Sequence, residues 1–150
     1  MRRRHVTTAR RRPFFQRYFS YPVEGHDRQK LPLLHVRLIG QGTLRSVALV
    51  DSGATVTFVP PELAEALGLD VVDRDVPAEG AGGGFLNNIC KFSLEIIKGA
   101  AVVHSLRGQA HVPQEEGRIP FIVLGRDHLF ADFDITFRER QQRVSFKPSR

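Results

Sequence analysis

The chain has 150 residues, 41% hydrophobic and 25% charged, with a formal net charge of +6 and a single cysteine, Cys90. That length supports one domain with a real core, one cysteine excludes an intramolecular disulfide scaffold, and no apolar stretch approaches the ~20 residues that span a bilayer. The excess charge is local: the first 17 residues hold seven arginines and no acid, so the remainder carries +6 − 7 = −1.

Residues 1–13 therefore read as a basic, disordered tail ahead of a folded domain at 14–150. An anchor to an acidic surface and a targeting segment are the tail's other meanings. A body with a slight negative balance offers no basic face, so nucleic acid is expected to contact the tail alone. With neither a secretory core nor a membrane span, the expected location is the cytoplasm.

From Phe14 to Val23, FFQRYFSYPV is aromatic and reads as an extended segment, and EGHDRQK as a polar loop. LPLLHVRLIG and TLRSVALV read as two strands joined at Gln41-Gly42, where glycine supplies the positive φ of a tight turn. The second strand turns continuously apolar over Val47–Val50, as a buried strand does, and runs into Asp51-Ser52-Gly53. Pro60-Pro61-Glu62 opens a short helix that Gly68 stops, with Leu63, Ala66 and Leu67 on one face.

Residues 71–112 alternate strands and turns. VPAEGAGGGFLNN carries Gly80, Gly82, Gly83 and Gly84 just before Phe85. In ICKFSLEII, Cys90, Phe92 and Leu94 alternate with Lys91, Ser93 and Glu95, the period of a half-buried strand. AAVVHSLRGQAHV is a further strand with a bend expected at Gly108, and PQEEGR a polar turn. IPFIVLG is a short buried strand ending in glycine, RDHLFADF a short helix, and DITFRERQQRVSFKP a hairpin with Ile135 and Phe137 before its turn and Val144 and Phe146 after it. The expected fold is mainly β with two short helices.

The glycine run does not lead into a helix and no Gly-Lys-Ser/Thr follows, which argues against a phosphate-binding loop. It is either a flexible hairpin tip or a mobile lid over a ligand. The six histidines form no HExxH or tight pair, so neither metal nor cofactor is expected. A Gly-x-Ser-x-Gly nucleophile elbow is absent.

Asp51 is the unusual acid, a carboxylate at the end of an apolar strand. Two carboxylates can hydrolyse an amide without metal or covalent intermediate, one taking a proton from water while the other polarises the carbonyl. Held a few ångströms apart they cannot both ionise and share one proton. Such an Asp needs a hydroxyl residue to brace its loop and a glycine to permit the turn. Asp51-Ser52-Gly53 supplies both. By composition, Asp-[Ser/Thr]-Gly arises by chance in roughly 7% of chains this long, so the context decides. Apolar residues precede the triplet, ATVTFVP and a helix follow it, and IVLG with a second helix comes about seventy residues later.

Together these stretches resemble the retropepsin-type, single-lobe aspartic proteases over roughly residues 31–147. LVDSGAT resembles the family's active-site loop, VPAEGAGGG falls where the family has its flap, and FIVLGRDHLFADFDITF resembles its closing strand, Gly-Arg-Asp step and C-terminal helix. The resemblance implies a closed-barrel-like acid-protease lobe, dimeric, that cleaves peptide or protein substrates. It implies Asp51 as catalytic acid, Ser52 as brace across the dimer, and Gly53 as the residue allowing the tight loop. Gly80, Gly82, Gly83 and Gly84, with Phe85 beside them, would lie in the flap, and Gly125 at the strand crossing beneath the loop. Thr55 stands where retroviral enzymes often carry an acid that pairs with the arginine of the Gly-Arg step. Arg126 is therefore expected to find another partner, such as Asp127, Asp132 or a backbone carbonyl. Because the chain has one such triplet, a two-carboxylate site requires a second chain, hence a symmetric homodimer. An inactive peptide-binding or dimerisation module of the same fold is the alternative.

Overall fold

β4 (Leu33–Gly40) and β5 (Gly42–Val50) form the hairpin from which the site is built, paired from Leu33↔Leu49 to Gly40↔Gly42. Gly42 takes φ +124, the turn conformation the sequence demanded. Both strands alternate near the turn and become buried at the far end, where Leu33, Leu34, Val47, Ala48 and Val50 lie inside. The structure, a computed structural model, describes residues 10–22, 29–80 and 82–150. Arg2 to Arg4 of the basic tail, Val23 and most of the EGHDRQK loop lie outside the described residues.

Among the described residues the remaining elements are β1 (Phe14–Arg17), β2 (Phe19–Ser20), β3 (Lys30–Leu31), α1 (Pro61–Ala66), β6 (Val71–Gly80), β7 (Gly83–Lys98), β8 (Ala101–Pro113), β9 (Ile122–Leu124), α2 (Leu129–Asp132), β10 (Phe133–Arg138) and β11 (Arg143–Pro148). The fold is mainly β. One sheet runs β6-β7-β4-β5-β9, with β8 paired to β7. Phe58 closes it into a barrel by bridging His111 on β8 and Val123 on β9. The inner surface is apolar: Leu34, Val36, Leu38, Leu94, Ile96, Ile122 and Leu124 share one core with Leu129, Phe133 and Phe146. Burying each such side chain contributes ~1.5–3 kcal/mol, which is what holds so short a parallel strand as β9 beside β5.

A second sheet, β1-β11-β10, ties the two ends of the domain together. Phe14 stacks on Phe146 at 4.4 Å and meets Phe133 edge-on at 5.4 Å. Ahead of it, Arg11 pairs with Asp132 at 3.0 Å, and His104 Nε2 lies 2.8 Å from the other oxygen of the same carboxylate.

Two local expectations change. β8 runs without a bend at Gly108, which pairs directly with Phe92; a Cβ there would overlap the His128 ring, so this glycine makes room for a side chain. On α1 and its C-cap the buried positions are Ala64 and Leu67 while Ala66 is exposed, because at 3.6 residues per turn Ala64 and Leu67 lie to one side of Leu63 and Ala66 to the other. Phe137, at the end of β10 opposite the buried Val144, is itself 37% exposed. No described helix is long and apolar enough to cross a membrane.

Candidate active site

β5 ends where β9 ends, and that shared end holds Asp51. Val50 and Leu124 are register partners in the parallel ladder, and the Asp51 N–H donates to Leu124 O at 3.1 Å. The chain then turns sharply. Asp51 Oδ1 accepts from Gly53 N–H at 2.8 Å, and Ala54 N–H returns to Asp51 O at 3.3 Å. Any Cβ on Gly53 would stand 3.2 Å from that carboxylate oxygen, so glycine keeps the loop tight. Among the described residues Oδ2 has no protein donor and is left for the cleft.

Residues 125–127 clamp this loop from beneath. A Cβ on Gly125 would overlap the Val56 carbonyl oxygen and stand 2.8 Å from Ala54 O, so only glycine lets the two segments cross. Arg126 N–H donates to Ala54 O at 2.9 Å. Asp127 accepts from Thr57 twice, from its N–H at 3.0 Å and from its hydroxyl at 2.8 Å, and Thr57 is fully buried. The expected Arg126 side-chain partner does not materialise: Arg126 is exposed and forms no ion pair among the described residues. Asp127 is occupied by Thr57, and Asp132 by Arg11 and His104.

The β6–β7 hairpin arches over Asp51, and together they enclose a cleft of about 640 Å³. Asp51, Gly53, Gly80, Gly82 and Phe85 line it. Ser52 and Thr55 are exposed on the loop, and neither they nor Gly83 and Gly84 line the cleft. Gly83 takes φ +98, the left-handed turn conformation that suits glycine.

Ala54, Phe58, Glu79, Arg118, Ile119 and Val123 also line the cleft and were not singled out from sequence. Arg118 is the most informative of them. Its guanidinium stacks over the Phe85 ring at 4.2 Å, donates to Gly83 O at 3.4 Å, and pairs with Glu115 at 3.2 Å. The glycine hairpin is thereby fastened to the loop that precedes β9. Beneath it Phe58 sits between Phe85, 6.2 Å away, and His111, 5.7 Å away. Burial lowers the His111 pKa, opposed by the charge of Asp127.

Asp51 is thus held on a glycine turn, with the β6–β7 glycine hairpin, Phe58, Ile119 and Val123 lining the same cleft. The aspartyl protease family profile matches residues 35–127, more than half of the chain and spanning the whole Asp51 loop and its clamp. The chain belongs to the aspartyl protease family. Within it the fold is retropepsin-like. EIAV protease, solved with the inhibitor HBY-793, aligns with a TM-score of 0.50 and 20% identity over 72% of this chain and 88% of its own. A retropepsin-like aspartic protease from Rickettsia conorii aligns with a TM-score of 0.54 and 12% identity over 90% of this chain and 91% of its own. No curated protein matches this chain significantly in sequence.

Proposed function

We propose that the protein is an aspartic endopeptidase whose site is completed by a second copy of the chain, so that Asp51 of each subunit forms one dyad at a two-fold axis. The observation that carries this is the setting of Asp51: Oδ1 fixed by Gly53 N–H, Oδ2 open to the cleft, and a glycine hairpin above. Glu79 is the second acid lining the cleft, but it is exposed on the hairpin and nothing among the described residues holds its carboxylate.

In the dimer the two Asp51 carboxylates share one proton. The ionised one takes a proton from a water as its oxygen attacks the peptide carbonyl carbon, and the protonated one donates to the carbonyl oxygen. The tetrahedral intermediate then collapses, the C–N bond breaks, and the leaving nitrogen receives a proton from the dyad. Ser52, exposed on the loop, braces the two active-site loops against each other across the dimer. Gly80, Gly82 and Phe85 cover the peptide, and Gly53 lets its backbone approach. Activity peaks at acid to neutral pH, where the pair holds one proton.

Asp51→Asn should abolish cleavage of an unfolded protein substrate, read by mass spectrometry, while sparing the thermal unfolding midpoint. Unchanged cleavage in that variant refutes the assignment. Peptide binding by the wild type without products would identify a binding module instead.

A further inference from the structure

The outer face of the β1-β11-β10 sheet gathers positive charge that is scattered along the sequence. Arg17 on β1 and Arg138 on β10 are both register partners of Arg143 on β11, so three arginines stand in one row across three strands. With strands ~4.8 Å apart the row spans about 10 Å. Lys98 reaches the same face from β7, its ammonium donating to Phe15 O and lying 3.8 Å above the Phe15 ring, with the Arg143 guanidinium 4.8 Å from that ring. Arg140 lies in the β10–β11 turn. Among the described residues none of these five cations forms an ion pair. Of the nearby acids, Glu139 accepts from Tyr18 Oη at 3.0 Å, and Asp134, farther along the same face, is offset by its register partner Lys147.

Like charges directly opposite one another on a sheet are destabilising, and here the strain is visible. Burial, then Arg143 and Arg17, lower the Lys98 pKa, and the buried Arg143 Nε has no partner. The segregation is also large. Five cations against Glu139 give 5 − 1 = +4. Beyond residue 17 the body totals −1, of which Lys98, Arg138, Glu139 and Arg140 with Arg143 contribute +3, so everything else there carries −1 − 3 = −4.

We propose that this face binds the phosphodiester backbone of a single-stranded nucleic acid. Arginine supplies four of the five cations, and its planar fork fits phosphate oxygens bidentately. A row of cations that can follow the backbone is what single strands use whatever their sequence. Stable seating on a lipid surface takes apolar side chains that insert in addition to the charges. The one large exposed hydrophobic residue on this face, Phe15, is capped by Lys98 instead. This inference is independent of what the cleft does.

The test is binding of a fluorescent single-stranded oligonucleotide of about 20 nucleotides to the full chain and to an Arg17→Gln/Arg138→Gln variant, across a salt series. Both substituted side chains are exposed and away from the cleft, so the unfolding midpoint should not move. Losing two phosphate contacts at ~0.7 ions each should flatten the slope of log K against log salt by about 1.4 and weaken binding by about tenfold. Identical affinity and slope would place binding on residues elsewhere and overturn the proposal. So would no binding at about 50 mM salt, or binding to phosphatidylserine vesicles in place of the oligonucleotide.

Discussion

Thr57→Val probes the clamp under the Asp51 loop. Valine keeps the threonine's shape and buried methyl but removes the hydroxyl that donates to Asp127 Oδ1 at 2.8 Å; the backbone N–H bond to Oδ2 at 3.0 Å stays. A hydrogen bond to a charged acceptor contributes ~1.5–3 kcal/mol. The Asp127 side chain is 24% exposed, so water can reach the freed oxygen, and the lower part of that range, about 1.5–2 kcal/mol, applies. For a chain of this size each kcal/mol moves the thermal midpoint by ~2–4 °C, giving a drop of roughly 3–8 °C. The assay is thermal or urea unfolding at one fixed protein concentration, since an associating protein's midpoint depends on it. Peptide cleavage should fall as well, because the same clamp holds the residues that follow Asp51. A change below about 0.5 kcal/mol, ordinary for a surface site, would refute the idea that Thr57 and Asp127 hold the loop.

Three further outcomes follow from the same geometry. Gly125→Ala forces a Cβ into the Val56 and Ala54 carbonyls and should cost more than about 3 kcal/mol, read as a collapsed urea midpoint or loss of soluble protein. Arg118→Ala removes the stack on Phe85 and the bond to Gly83 O; amide exchange over 80–85 should accelerate about tenfold, as expected for losing about 1.4 kcal/mol of local stability, with a raised KM, whereas Glu115→Ala, which removes only an exposed pair, should do little. Burial lowers the His111 pKa below 6.5, so on acidification the unfolded chain binds this proton first; stability is lost as pH falls below 6.5 until the folded imidazole titrates, and His111→Gln should show a flatter decline in urea midpoint over that window.

Much of the site was legible because it is local. The Val47–Val50 run, the acid that ends it and the glycine two residues on are contiguous, and period-two alternation marked the strands on either side. What escaped depends on contacts between distant segments. Phe58 comes to the cleft from one part of the chain and Arg118 and Val123 from another, and nothing in the Gly117-Arg118 turn announces that its arginine will lie on Phe85. The Thr57–Asp127 bond crosses seventy positions. Gly108 looked like a bend because glycine usually marks one, whereas here it clears space for His128. Charge gave the sharpest contrast. Summed along the chain, the body is near neutral, and only the register that sets Arg17 and Arg138 beside Arg143 creates a basic face.

The central claim is that one active site needs two copies of Asp51. A fixed amount of wild-type protein mixed with increasing Asp51→Asn, followed by peptide cleavage after subunit exchange, tests it directly. Activity should fall toward zero as wild-type chains become captured in mixed dimers that carry a single aspartate. Activity that stays constant at every excess of the variant would show that one chain cuts alone and would contradict the account.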